Sequence, residues 1–274
     1  MVKPRKIAIL GVGKLGEALV AGILKQGQLK AGDIVGSVAH PESAQKARAS
    51  LGIEVLLDNV AAVKGADLVI LAVKPQNMDA VARGIAEALE PHQVVVSVAT
   101  GATTSYIQER LRGSQPVVRA MPNTPSVVNE GMTGLCAGLY AKAKHMAMAE
   151  SVFACVGRTV QVDESLMDAV TALSASGPAF LYVVIESLAE AGVKLGIPRD
   201  VSTLLAAQTM LGAAKMTLET RAHPALLKDM VTTPAGCTVD GLLELEEGKL
   251  RVTLIKAVVK AAERARELVK DKGC

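Results

Sequence analysis

A chain of 274 residues, half of them hydrophobic, has enough apolar sequence for two domains with sizeable cores. A formal net charge of only +3, no Trp, three Tyr and two Phe argue against nucleic-acid binding through a basic face or base stacking. The four cysteines, Cys136, Cys155, Cys237 and Cys274, lack C-x-x-C spacing and the four histidines are scattered, which argues against a metal site and a disulfide scaffold.

A reduced, cytoplasmic protein fits this cysteine usage. The N-terminal MVKPRKIAIL runs into a strand-like segment without the apolar length or cleavage site of a signal peptide. No run reaches the roughly 18 uninterrupted apolar residues of a membrane span, so none is expected.

In chain order, Lys6 to Leu10 reads as a buried strand, Glu17 to Gln26 as a helix and Asp33 to Ser37 as a second strand. A helix follows near Pro41 to Leu51, opened by a proline suited to a first turn. Asp67 to Val73 (DLVILAV) is a continuous apolar run, as in a parallel strand covered on both faces. Gln76 to Leu89 is helical, Gln93 to Ala99 a strand, Thr103 to Leu111 a short helix and Pro116 to Ala120 a strand. This alternation predicts a Rossmann-type, doubly wound parallel sheet.

Strand signals stop near Glu164. Ala- and Leu-rich helical patterns follow at Ser165 to Leu173, Ala179 to Leu195, Arg199 to Leu218, Thr238 to Glu247 and Arg251 to Lys270, with breaks at Gly196 and His223-Pro224. The expected division is a nucleotide-binding domain over 1–163 and an all-helical domain over 164–274. Helices this rich in alanine, with few aromatics, need a second subunit to bury their faces, so a homo-oligomer is expected.

Gly11, Gly13 and Gly16 form a G-x-G-x-x-G, with Lys14 and Leu15 inside it, between a strand and a helix. The first glycine permits the tight turn, the second lets backbone approach a pyrophosphate, and the third lets helix and strand pack closely. Where an acidic residue would bind a ribose 2′-hydroxyl, the second strand ends instead in Ser37, with His40 beyond. A hydroxyl and a titratable imidazole favour a 2′-phosphate, hence NADPH with NADH still possible; as ordinary loop residues they carry no such meaning. Ligands sit at the carboxyl ends of such strands, which adds Ala72, Val73, Lys74 and Pro75, and Ala99 and Gly101 around Thr100. Lys74 reads equally as a solvated charge, and Asn59 as a ribose ligand or a plain N-cap.

Near the other end, Lys228 to Thr238 (KDMVTTPAGCT) crowds small residues, a proline and a glycine before a helix. Thr238 is an N-cap candidate, and the remaining helical N–H groups offer a seat for a carboxylate. Taken alone, such a loop is more often a mere helix start.

The segments GVGKLGEAL, AVKP, VRAMPNTP, LSASGPAF and LKDMVTTPAGCTVDGLLELE resemble, in this order and over nearly the whole chain, the pyrroline-5-carboxylate reductases. The resemblance implies reduction of L-Δ1-pyrroline-5-carboxylate to L-proline by NADPH or NADH, the last step of proline synthesis. It further implies interlocked helical dimers, often assembled into decamers (pentamers of dimers), and an active site between one subunit's cofactor cleft and its partner's helical domain. Thr233, Pro234, Ala235, Gly236, Cys237 and Thr238 would then hold the substrate, the Thr238 hydroxyl meeting the ring nitrogen. Ser176 would face the pocket or serve as a structural turn, and Asn123 would touch the nicotinamide side or stiffen its turn. The family usually has Gly where Ala175 and Ala235 stand, so a positive φ at either would be strained. Cys237 has no neighbouring His in the sequence, and hydride transfer needs no nucleophile. Two rivals are a β-hydroxyacid dehydrogenase, which the absence of Lys from SASGPAFLYVV disfavours, and a protein that binds NADPH without turnover.

Overall fold

The computed structural model describes residues 2–270; Cys274 lies outside them. The first half runs β1 (Ile7–Leu10), α1 (Lys14–Lys25), β2 (Ile34–Ser37), α2 (Pro41–Leu51), β3 (Glu54–Leu56), α3 (Asn59–Val63) and β4 (Leu68–Leu71). It continues with α4 (Met78–Ile85), β5 (Val94–Ser97), α5 (Thr104–Gln108), β6 (Val117–Met121), β7 (Gly131–Ala137), α6 (Ala143–Phe153) and β8 (Gly157–Gln161). The strands form one sheet in the order β3-β2-β1-β4-β5-β6-β7-β8. All pairs are parallel except β6 with β7.

β1, β2, β4 and β5 are buried at every position, which is why they read as unbroken apolar runs. Alternate residues feed two core layers. Ile7 and Ile9 join Leu19, Ile23 and Phe153 on one face. Ala8 and Leu10 join Ile85 and Ile107 on the other.

Three strands left no such pattern in the sequence. β3 has only three residues, one of them exposed. β8 is a mostly exposed edge whose Thr159 hydroxyl donates to Glu150 (3.0 Å). β7 reads GMTGLCA because small residues are required there. A Cβ on Gly131 would lie 2.8 Å from the Val156 carbonyl oxygen, and one on Gly134 would lie 2.7 Å from Val170 Cγ1. The parallel sheet thus ends in two strands, β7 and β8, that run opposite to the other six and parallel to each other, with α6 connecting them.

The rest is helical: α7 (Met167–Val170), a π-helical turn over Thr171–Ala175, α8 (Gly177–Lys194), α9 (Arg199–Thr220), α10 (Pro224–Met230), α11 (Cys237–Glu247) and α12 (Leu250–Lys270). The break read at His223-Pro224 is real, and Pro224 also opens the unforeseen α10. The compact units differ from the expected 1–163 and 164–274 division: the first runs to Ser176 and takes in the end of α12 from Ala261, and the second is Gly177–Lys260. The segment after Asp163 belongs with the sheet because Met167 is fully buried against Met121 and Cys136.

Within the second unit α8 and α9 approach closely. The Ser202 hydroxyl donates to the Ala189 carbonyl (2.6 Å), and a Cβ on Gly192 would fall on that same hydroxyl. Leu204 (67%), Leu211 (54%), Leu243 (64%) and Ile255 (58%) are nevertheless largely exposed. Apolar surface on that scale marks an association face. The helical run Glu164–Lys194 is also long and apolar enough, by length and composition, to cross a membrane, although no uninterrupted apolar stretch announced it.

Before β4, Asp67 accepts the backbone N–H of Arg5 (2.6 Å) and of Lys6 (3.2 Å) and a guanidinium N–H of Arg5 (3.3 Å). Burial alone would raise this carboxyl, but the Arg5 and Lys6 donors outweigh it and hold the group below the usual carboxylate value. With the folded pKa depressed, its stabilisation is present above about pH 4 and is lost as pH falls through the folded value. Asp67→Asn should therefore cost about 1–2 kcal/mol at neutral pH and flatten the acid limb of a denaturation–pH curve.

Candidate active site

The turn between β1 and α1 is built from backbone. The amides of Gly11 and Val12 donate to the Ser37 carbonyl (2.9 and 3.2 Å), and that of Gly13 donates to the Gly11 carbonyl (3.0 Å). Gly11 has φ +99°, and a Cβ there would lie 2.7 Å from the Ala72 carbonyl oxygen. A Cβ on Gly16 would lie 2.8 Å from the Gly11 carbonyl oxygen, whereas Gly13 has nothing within 4 Å of that position. Gly13 caps α1 without a side chain, and the first helical amide with a partner in the helix is that of Glu17, on the Gly13 carbonyl. The amides of Lys14, Leu15 and Gly16 are left as donors at the positive end of the helix. Open space beside Gly13 and free amides behind it fit a dinucleotide's pyrophosphate.

Ser37 and Asn59 meet: the Ser37 hydroxyl donates to Asn59 Oδ1 (2.7 Å). Ser37 is 1% exposed, so its hydroxyl is not displayed at the strand tip for a phosphate but orients the half-exposed Asn59. The N-cap role considered for Asn59 belongs to Asp58, whose carboxylate accepts the Val60 amide (2.8 Å); Asn59 is the first residue of α3. His40 is exposed at the start of α2 and its side chain caps nothing. Arg48 is turned away, its Nε donating to the Val55 carbonyl (2.9 Å).

Along the same edge, the chain leaves β4 through Ala72 and Val73 to an extended, exposed Lys74, and Pro75 opens a short 3-10 turn, Pro75–Asn77. Ala99 and Gly101 are buried in the loop after β5, and Gly101 has φ +80°. Asn123 does not have a free amide. Its Nδ2 donates to the Ser174 carbonyl (3.2 Å) and its Oδ1 accepts the Met132 amide (2.8 Å). Both ends are thus spent on tying β7 and the π-helical turn together. Ser176 closes that π-helical turn, its amide donating to the Thr171 carbonyl (2.9 Å). Ala175 has no positive φ and packs beside Met121 and Met167, so its methyl is accommodated.

In the second unit, Thr233 to Gly236 form a turn closed by the Gly236 amide on the Thr233 carbonyl (3.0 Å). Proline in its second place and a positive φ in its third make it type II, a place for glycine. Here Ala235 occupies that place at φ +58°. Thr238 is not the N-cap: Gly236 is, with no side-chain cap, because the turn ends one residue before Cys237 opens α11. Thr238 falls in the first helical turn, its hydroxyl released from capping. The amides of Cys237 and Thr238 precede that of Val239, which has the Gly236 carbonyl (3.3 Å). They are the donors available to an anion. Cys237 is exposed and free.

Sequence reading passed over a buried ionic group. Arg119, 2% exposed in β6, faces Glu164 and Asp168. Its signal was an arginine inside an otherwise apolar strand.

A family model described as pyrroline-5-carboxylate reductase dimerisation matches residues 164–268, and one described as NADP oxidoreductase, coenzyme F420-dependent, matches residues 6–101. A pyrroline-5-carboxylate reductase of Methanosarcina acetivorans is 43% identical over 97% of this chain and 98% of its own. The structure of a pyrroline-5-carboxylate reductase from Coxiella burnetii superposes with TM-score 0.91 at 35% identity, covering 96% of this chain and 98% of that one. That of a Plasmodium falciparum pyrroline carboxylate reductase with NADP bound gives TM-score 0.85 at 28% identity, over 97% and 98%. The dimerisation match takes in the apolar run Glu164–Lys194, which a partner subunit's helices would cover.

Two substitutions test the backbone argument. Ala235→Gly should raise stability by about 0.5–1 kcal/mol in chemical denaturation, the relieved strain exceeding the entropy cost of glycine. Gly11→Ala should weaken NADPH binding at least tenfold by calorimetry, since its methyl meets the Ala72 backbone at a φ that alanine avoids.

Proposed function

The chain belongs to the pyrroline-5-carboxylate reductase family, and we infer that it reduces L-Δ1-pyrroline-5-carboxylate to L-proline with NAD(P)H. The observation that carries this reading is the pairing, in one chain, of an open glycine turn suited to a pyrophosphate with a second helix start suited to a carboxylate.

The amides of Lys14, Leu15 and Gly16 would hold the coenzyme's pyrophosphate. Asn59, oriented by Ser37, and the exposed His40 would border the adenosine ribose. Ala72 to Pro75, Ala99 and Gly101 would line the strand edge. The bound coenzyme supplies a hydride for the imine carbon. The amides of Cys237 and Thr238, behind the turn of Thr233, Pro234, Ala235 and Gly236, would take the substrate carboxylate. The imine would enter with its nitrogen protonated from solvent, and the Thr238 hydroxyl oxygen, free of capping, would accept that N–H and hold the proton at the nitrogen while the hydride reaches the carbon. The turn itself supplies no general acid, so the chain contributes mainly by orientation and by removing water from the imine. A preference for NADPH follows from His40 and from the absence of an acidic residue at the end of β2.

The helical unit belongs to an oligomer, and the assembly proposed is a decamer, a pentamer of dimers. The exposed leucines support burial of these faces in such an assembly. A cytoplasmic setting goes with this reading, since Cys136, Cys155 and Cys237 are all free thiols.

Purified protein should oxidise NADPH only when pyrroline-5-carboxylate is added, and more efficiently than NADH. NADPH binding without turnover would sink the reductase reading. Thr238→Ala should lower kcat on the order of 10²-fold while leaving the NADPH Kd within about twofold, and unchanged turnover would remove Thr238 from the site. Sedimentation should give a species ten times the chain mass; a stable dimer would limit the assembly to the pair.

A further inference from the structure

Three segments bordering the nucleotide edge of the sheet converge on one buried charge. Arg119 Nη1 lies 3.5 Å from Glu164 Oε1, and Nη2 lies 3.8 Å from Asp168 Oδ1. Asp168 Oδ2 is in turn 3.9 Å from Arg266 Nε. Two cations and two carboxylates balance. Glu164 also holds the start of α5, where its Oε1 accepts the Thr104 amide (2.7 Å) and its Oε2 the Thr104 hydroxyl (2.6 Å). With both oxygens committed there, the buried guanidinium keeps Nε and Nη2 without a hydrogen-bond partner. Arg119 is therefore held by the field of its carboxylates at a fixed place, and moving Glu164 costs at both of its ends.

The connections lead to the cleft. Thr104 opens α5 directly behind the loop that holds Ala99 and Gly101. Arg119 lies on the strand that runs into Asn123. Glu164 and Asp168 start the run that reaches Ser174, the partner of Asn123. We propose that Glu164, clamped between Thr104 and Arg119, is a positioning residue for the coenzyme. It anchors the exit of the 99–101 loop and the Asn123–Ser174 joint at one point, so that this side of the cleft keeps one shape for the nicotinamide half. This rests on the reductase reading for its kinetic consequences, but not for its effect on binding.

The test uses the full-length oligomer, with calorimetric titration of NADPH beside steady-state kinetics. Glu164→Gln keeps the shape but removes the charge and presents an N–H to Thr104 or Arg119. It should raise both the Kd and the KM for NADPH about fivefold or more, with the KM for pyrroline-5-carboxylate within about twofold. Thr104→Val removes one donor and leaves the Arg119–Glu164 pair intact. It should shift NADPH binding the same way by a smaller factor at an almost unchanged Tm, and it decides the matter if Glu164→Gln fails to fold. The proposal is overturned if folded variants bind NADPH as the parent does, or if the two KM values rise together. A parent protein that binds NADPH without reducing the imine would defeat the reductase reading, while the titration would still judge the role of Glu164.

Discussion

The reaction proposed for this chain depends on backbone amides left without carbonyl partners at the starts of α1 and α11. Every helix has orphan amides at its first turn, and most are capped by side chains or water. Here both caps are glycines, Gly13 and Gly236, and neither start carries a side-chain cap. Glycine at these places leaves the donors open and lets a ligand come close. The same economy dictates the neighbours. Gly11 and Gly16 are glycines because carbonyl oxygens stand 2.7 and 2.8 Å from where their side chains would begin. The turn before α11 needs a positive φ, which the chain meets with Ala235. Strain of that kind is accepted where a backbone shape matters more than its energy.

What could be read from residue order alone follows the same division between backbone and side chain. The DLVILAV run, the glycine triplet and Pro41 each announce themselves because one local rule decides them: burial on both faces, a tight turn, a fixed φ. β7 could not be read this way. Its GMTGLCA is shaped by Val156 and Val170, residues distant in sequence whose approach leaves no room for a Cβ. Site residues behaved alike. The glycine turn and the helix entrance from Thr233 to Thr238 were legible as backbone shapes. The roles of Asn123 and Ser37 were not, because their partners, Ser174 and Asn59, are known only once the chain is folded. For Thr238 a shift of the cap to Gly236 turned a structural hydroxyl into an available one.

The helical unit shows what such local reading omits in energy. Its leucines satisfy helix propensity and amphipathic pattern, yet many lie in water in the single chain. Alanine-rich helices can approach closely, as Gly192 and Ser202 allow for α8 and α9. The remaining apolar faces then need a second copy. Membrane-like hydropathy in Glu164–Lys194 is the same fact in another measure: an interface helix and a membrane helix both present apolar surface, and the dimerisation match assigns this one to protein.

The buried charges around Arg119 pose the opposite problem. Well-packed apolar side chains of similar volume are often at least as stable as a buried ion cluster. Burial, with the charge on Glu164 adding to it, pushes the neighbouring Cys136 thiol up to about 12, so no thiolate competes for the guanidinium at any physiological pH. Stability alone does not account for an arginine on this strand. Geometry does: a charge with unpaired donors tolerates few alternative placements, because each displacement exposes an uncompensated cation to a low-dielectric interior. An apolar filling would allow Thr104, β6 and the run from Glu164 to slide by small amounts at little cost. The coenzyme's reacting carbon and the imine must be held about 3–3.5 Å apart and aligned, and a joint that resists sliding serves that requirement better than one that is merely stable.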